Sequence, residues 1–146
     1  MNSTSPTPQE NQPVVFRGGT VLTMDATRRV LKHADVLVIG EDIAVGPALE
    51  VPEGTFEIDA AGGIVMPGMV DTHRHMWQTA MRGYGADWTL TQYFVWYYLE
   101  HGKAFRPEDI ATGNALSAWD ALDAGVTTSV DWSHGLSTLD HAEAAL

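Results

Sequence analysis

The stretch that most restricts how this chain can fold is Pro67-Gly68-Met69-Val70-Asp71-Thr72-His73-Arg74-His75. Residues 64–70 read as a buried strand that turns polar at its C-terminal end. Side chains alternate between the faces of a strand, so His73 and His75 project one way with Asp71, and Thr72 and Arg74 project the other. Two imidazoles on one face are half of a metal site, because a catalytic zinc takes three protein ligands plus water. A bare His-x-His is a weak signal, and its place at the outlet of a buried strand gives it weight.

Downstream, residues 76–89 read as an ordered loop and residues 90–101 as a helix stopped by Gly102. The aromatic row Tyr93, Phe94, Trp96, Tyr97 and Tyr98 is expected to pack that helix on its neighbours. Arg106-Pro107-Glu108-Asp109 opens a second helix, with proline in the first turn and acids at the positive end of the dipole. Ala111, Ala115, Ala118, Trp119 and Leu122 recur at three- and four-residue spacing and predict its buried stripe. Val126-Thr127-Thr128-Ser129-Val130-Asp131-Trp132 is a β-branched strand, and a last helix starts near Thr138. Strand, helical crossover and strand imply parallel pairing in an α/β barrel or a doubly wound sheet. Both place sites at the C-terminal strand edge, where His73, His75, Asp131 and His134 lie.

Upstream, Val14-Val15-Phe16-Arg17, Thr20-Val21-Leu22-Thr23-Met24, Ala34-Asp35-Val36-Leu37-Val38-Ile39, Asp42-Ile43-Ala44-Val45 and Phe56-Glu57-Ile58 read as short strands, with Gly18-Gly19 a turn between the first two. Residues 14–62 form a small, partial β-sandwich module, below the size at which domains ordinarily fold alone. Residues 1–13, polar and rich in Pro, Ser and Thr, read as a disordered tail, and residues 63–146 as two β/α units. With 45% hydrophobic and 18% charged residues, the chain is that of a globular protein. A net charge of −11 with no basic cluster argues against nucleic acid and anionic membrane as partners. The lack of cysteine excludes thiolate metal ligands and disulfides. No apolar run approaches the ~20 residues needed to span a bilayer, so a soluble, cytoplasmic protein is expected.

The stretch from Pro67 to His75 resembles the signature of the amidohydrolase superfamily, Pro-Gly, two apolar residues, Asp or Asn, then His-x-His, on the first strand of a distorted TIM barrel. Gly18-Gly19-Thr20-Val21, Ile58-Asp59-Ala60-Ala61-Gly62, Gln78 three residues after His75, and Gly125-Val126-Thr127-Thr128 are similar to the cytosine and guanine deaminase and triazine chlorohydrolase branch. The resemblance implies a metal-dependent hydrolase of C–N or C–halide bonds in a nitrogen heterocycle, deamination first, with His73 and His75 as metal ligands. It implies zinc, with iron as the alternative, and a homo-oligomer for the complete protein. Gln78, His134 and Trp88 are the substrate-binding candidates, while the general base and a metal-binding Asp are expected beyond the chain end. Trp77 is a second aromatic candidate, and His33, His101 and His141 carry no metal-like spacing.

A complete barrel takes ~250 residues, so the chain is expected to be the N-terminal part of one, inactive in isolation. Two rivals stand beside this. One is a binuclear cyclic-amide hydrolase like hydantoinase or dihydroorotase, and the other a non-catalytic truncated module that needs a complementary chain.

Overall fold

In the computed structural model, which describes residues 7–146, the chain divides into two units at Pro67/Gly68. The first is a mixed sheet of β1 (Val14–Leu22), β2 (Val30–Ile39), β3 (Asp42–Gly46), β4 (Phe56–Asp59) and β5 (Ile64–Val65). The order is β3-β2-β1-β4, and β5 pairs with β1. The β1–β2 and β2–β3 pairs are antiparallel, whereas β4 and β5 run parallel to β1. Val21, Ala34 and Val36 centre the core, with Phe16, Leu31, Val38, Val45 and Val65 packed on them.

Gly18-Gly19 does not turn the chain. It sits inside one continuous β1 as a bulge, with Gly18 at φ +72° and the register slipping between Phe16↔Val36 and Gly19↔Ala34. The bulge frees the Gly18 N–H to donate to Asp35 Oδ1 at 2.9 Å, while Arg17 Nη1 at 2.8 Å and the Leu49 N–H at 3.0 Å donate to Oδ2. Asp35 is only 5% exposed, so this charge is buried with its partners supplied. The Arg17 guanidinium, helped by the two backbone N–H groups, holds the Asp35 carboxyl below the usual carboxylate range.

A carboxylate depressed in the folded state stabilises above its unfolded pKa, and that stabilisation is lost as pH falls through the folded one. Asp35→Asn should therefore lower the urea midpoint at pH 7, and the gap from the parent should narrow at acid pH. Equal midpoints at pH 7 would show that the carboxylate contributes nothing.

Residues 1–6 of the expected tail lie outside the described residues. Residues 9–13 are tied to the sheet: Gln12 Nε2 donates to Gly54 O at 2.8 Å, and the Phe56 N–H to Pro13 O at 2.7 Å.

The second unit runs β6 (Met69–Arg74), a 3-10 turn (Met76–Met81), α1 (Leu90–Gln92), α2 (Pro107–Asp123), β7 (Val126–Asp131) and α3 (Leu139–Ala144). Between α1 and α2 the chain continues as a π-helix, Tyr93–His101, and a short 3-10 turn, Gly102–Ala104. β6 and β7 pair in parallel, as the element order predicts. Residues 64–70 are not one strand, however: β5 belongs to the first sheet, and Pro67-Gly68 breaks the run before β6.

The stripe expected on α2 is rotated as well. Ile110, Gly113, Asn114, Ser117 and Ala121 are buried, while Trp119 and Leu122 are 76% and 61% exposed. Close approach selects the face: a Cβ on Gly113 would lie 2.7 Å from the Trp77 carbonyl oxygen, Asn114 Nδ2 donates to Ala145 O, and Ser117 receives Arg74. Among the described residues, no helix is long and apolar enough to cross a membrane.

Candidate metal and substrate site

Asp71 opens the site by folding back on its own strand. Its Oδ1 accepts the His73 N–H at 3.0 Å, and Oδ2 meets Arg74 Nε at 3.0 Å. Arg74 Nη1 continues to Ser117 Oγ at 2.9 Å. The His73 N–H, then Arg74, keeps the Asp71 carboxyl below its ordinary range. The register slips between Asp71↔Ser129 and Arg74↔Asp131, so strict alternation fails here and Asp71 and Arg74 meet. Asp71 thus shapes the strand end.

The two imidazoles do come together, with His73 and His75 ring centroids 5.2 Å apart, edge to face. Behind them lies the end of β7. The Trp132 N–H donates to Arg74 O at 2.8 Å, Trp132 Nε1 donates to Thr72 O at 3.1 Å, and the Trp132 ring lies 5.4 Å from that of His73. The Trp132 carbonyl oxygen contacts Nδ1 of His75 and Nδ1 of His134, each at 2.9 Å. It also accepts the His134 N–H at 2.8 Å across a tight turn. A carbonyl only accepts, so both rings carry a proton on Nδ1, and in the neutral imidazole Nε2 is the lone pair. This is the arrangement that second-shell carbonyls give to metal-binding histidines. His75 Nε2 and the His73 ring are nitrogen donors of the kind that a divalent ion with nitrogen preference takes. Among the described residues, no group of three or more His, Cys, Asp or Glu side chains is arranged around an ion.

His134 joins this pair. Its ring lies 4.4 Å from His75, stacks on Tyr98 at 5.0 Å, and points Nε2 at Gln78 Nε2 and Tyr93 Oη, each 3.5 Å away. Gln78 lines a groove of about 490 Å3 with Arg74, His75, Thr79, Arg82 and Asp120. Of the three substrate candidates, Gln78 and His134 therefore stand beside His75. Trp88 packs instead against Tyr84, ring centroids 4.8 Å apart, and over Gly85. Trp77 is 1% exposed, boxed in by Gly102, Gly113 and Gly135, so it is core. His141 is likewise structural, bridging Thr138 and Phe105 O.

Trp132, Tyr93 and Tyr98 were not singled out from sequence as site residues. The tyrosines are five apart, about 140° around an α-helix, so helical periodicity separates them; the wider π turn brings them together.

No protein-family model matches the chain. The 5-methylthioadenosine/S-adenosylhomocysteine deaminase of Symbiobacterium thermophilum is 37% identical over 121 residues, which is 81% of this chain and 28% of that protein. The 5'-deoxyadenosine deaminase of Methanosarcina acetivorans is 32% identical over 81% of this chain and 27% of its own length. A mutant atrazine chlorohydrolase from Arthrobacter aurescens, solved with zinc and atraton, superposes with a TM-score of 0.78 at 27% identity, over 90% of this chain and 32% of that one. The chain belongs to the amidohydrolase superfamily. It covers less than a third of the relatives it matches, and corresponds to the N-terminal portion of the amidohydrolase barrel fold. The parallel β6–β7 pair lies within that portion, with the histidine pair at the outlet of β6.

Proposed function

We propose that this chain carries the first metal-binding corner of a hydrolase that cleaves C–N or C–halide bonds of nitrogen heterocycles, with hydrolytic deamination as the leading reaction. The observation that supports this is the histidine pair at the outlet of β6, with the Trp132 carbonyl leaving His75 Nε2 free beside Gln78 and the groove.

His73 and His75 hold the ion, and zinc is favoured by the zinc in the chlorohydrolase structure. A bound divalent metal lowers the pKa of its water toward neutrality and so supplies hydroxide. Gln78 meets the polar edge of the ring, since a carboxamide both donates and accepts. His134 Nε2 stands behind Gln78, facing its amide nitrogen and Tyr93 Oη. A cytoplasmic location belongs to the proposal, and the net charge of −11 supports the lack of a nucleic-acid or anionic-membrane partner. A homo-oligomeric state belongs to the same proposal.

The test is elemental analysis of the purified complete protein together with a panel of aminated and chlorinated pyrimidines, purines and triazines, read as ammonia or chloride release. Stoichiometric metal with product release is expected. Product release from metal-free protein, or a metal-loaded protein inert across the panel, defeats the proposal.

A further inference from the structure

The π-helix Tyr93–His101 sets two tyrosines against Gln78 and a third against His134. Tyr93 Oη lies 2.6 Å from Gln78 Nε2, Tyr97 Oη donates to the Gln78 backbone carbonyl at 2.7 Å, and Tyr98 stacks on His134. The direction of each bond follows from Trp132. Because its carbonyl accepts the Nδ1–H of His134, Nε2 of the neutral ring has no hydrogen and only accepts. The two atoms that converge on it at 3.5 Å, one on Gln78 and one on Tyr93, must then be donors. For Gln78 this means the amide nitrogen faces inward. One of its hydrogens goes to the Tyr93 oxygen, and the Tyr93 hydroxyl proton is left for His134. No hydrogen bond engages Gln78 Oε1 among the described residues, so the oxygen is the atom offered to the groove.

We propose that Tyr93 is a positioning residue that turns the Gln78 carboxamide oxygen outward, so that the site takes heterocycles carrying an N–H on the edge that meets Gln78. The substrate half of this statement rests on the hydrolase function proposed above; the orientation half rests on the geometry alone. A π turn at this position has a purpose on this view, because an α-helix would carry Tyr98 away from the His134 ring while Tyr93 stayed.

The experiment is nuclear magnetic resonance of the 15N-labelled chain, without metal or substrate. The Gln78 side-chain amide pair is expected to be displaced from the positions of exposed glutamines and to exchange slowly with water. Tyr93→Phe should return it to the exposed positions. Tyr98→Phe, which removes a hydroxyl with no partner among the described residues, should leave it in place. Long-range 1H–15N spectra of the parent chain should show His134 protonated on Nδ1. An unmoved Gln78 pair in Tyr93→Phe overturns the inference, as does a His134 protonated on Nε2. The second measurement decides even if Tyr93→Phe fails to fold. None of these readouts needs turnover, so a failed hydrolase assignment leaves the orientation standing. A substrate that turns over without an edge N–H removes the specificity half alone.

Discussion

Replacing His73 and His75 together with alanine should abolish metal uptake and turnover in the same step. Loss of a single hydrogen-bond partner behind a metal ligand already costs about 10–100-fold in affinity, and this change deletes two ligands outright. Water at its ordinary pKa of about 15.7 is then the only nucleophile left, so product release should fall to the rate without enzyme. His101→Ala, at the far end of the π-helix, should keep both metal and rate. Retained turnover in metal-free double variant would remove the metal from the proposal. Metal kept together with turnover would separate the two histidines from the chemistry altogether.

Trp77→Ala should produce the largest loss of stability in the second unit. The ring is 1% exposed, meets Phe105 at 5.2 Å and Tyr97 at 6.2 Å edge to face, and anchors the cluster with Ile110. Truncating a buried aromatic to alanine costs about 3–5 kcal/mol, and whole domains hold only about 5–15 kcal/mol. This unit has little to spare, with Val70 63% and Val130 50% exposed on its sheet. The expected result is loss of the tryptophan near-ultraviolet dichroism and of cooperative melting. Gly113→Val tests the same contact from the other side, since its side chain would meet the Trp77 carbonyl at the Cβ. A near-parental melt for both variants would mean that the core lies elsewhere.

Much of this was legible in the residues. β-branched runs marked the strands, Pro107 with Glu108 and Asp109 marked the start of α2, and Pro67-Gly68 with the histidines marked the candidate site and the family. What escaped was set by backbone geometry. Gly18-Gly19 looks like a turn, yet the buried Asp35 carboxylate needs the bulge. On α2 the packed face is the one that allows close approach, at Gly113 and Ser117, and it outweighs the apolar stripe. The alternation rule brought His73 and His75 together but put Asp71 with them, because the slip in register opposite β7 cannot be seen in β6 alone. Trp88 offers a flat ring that suits a planar substrate, but the loop uses that ring to cover Gly85.

The oxygen at position 132 belongs to the main chain, and this changes what evolution can reach. Any residue except one that moves β7 still presents that carbonyl to the two Nδ1 groups, so proton placement on His75 and His134 is shielded from substitution. The indole at the same position leans on His73 and donates to Thr72 O, apart from the two Nδ1 groups. One residue thereby separates an inherited setting from an adjustable one: its backbone keeps two imidazoles in a single chemical form, and its side chain can be exchanged to retune the third.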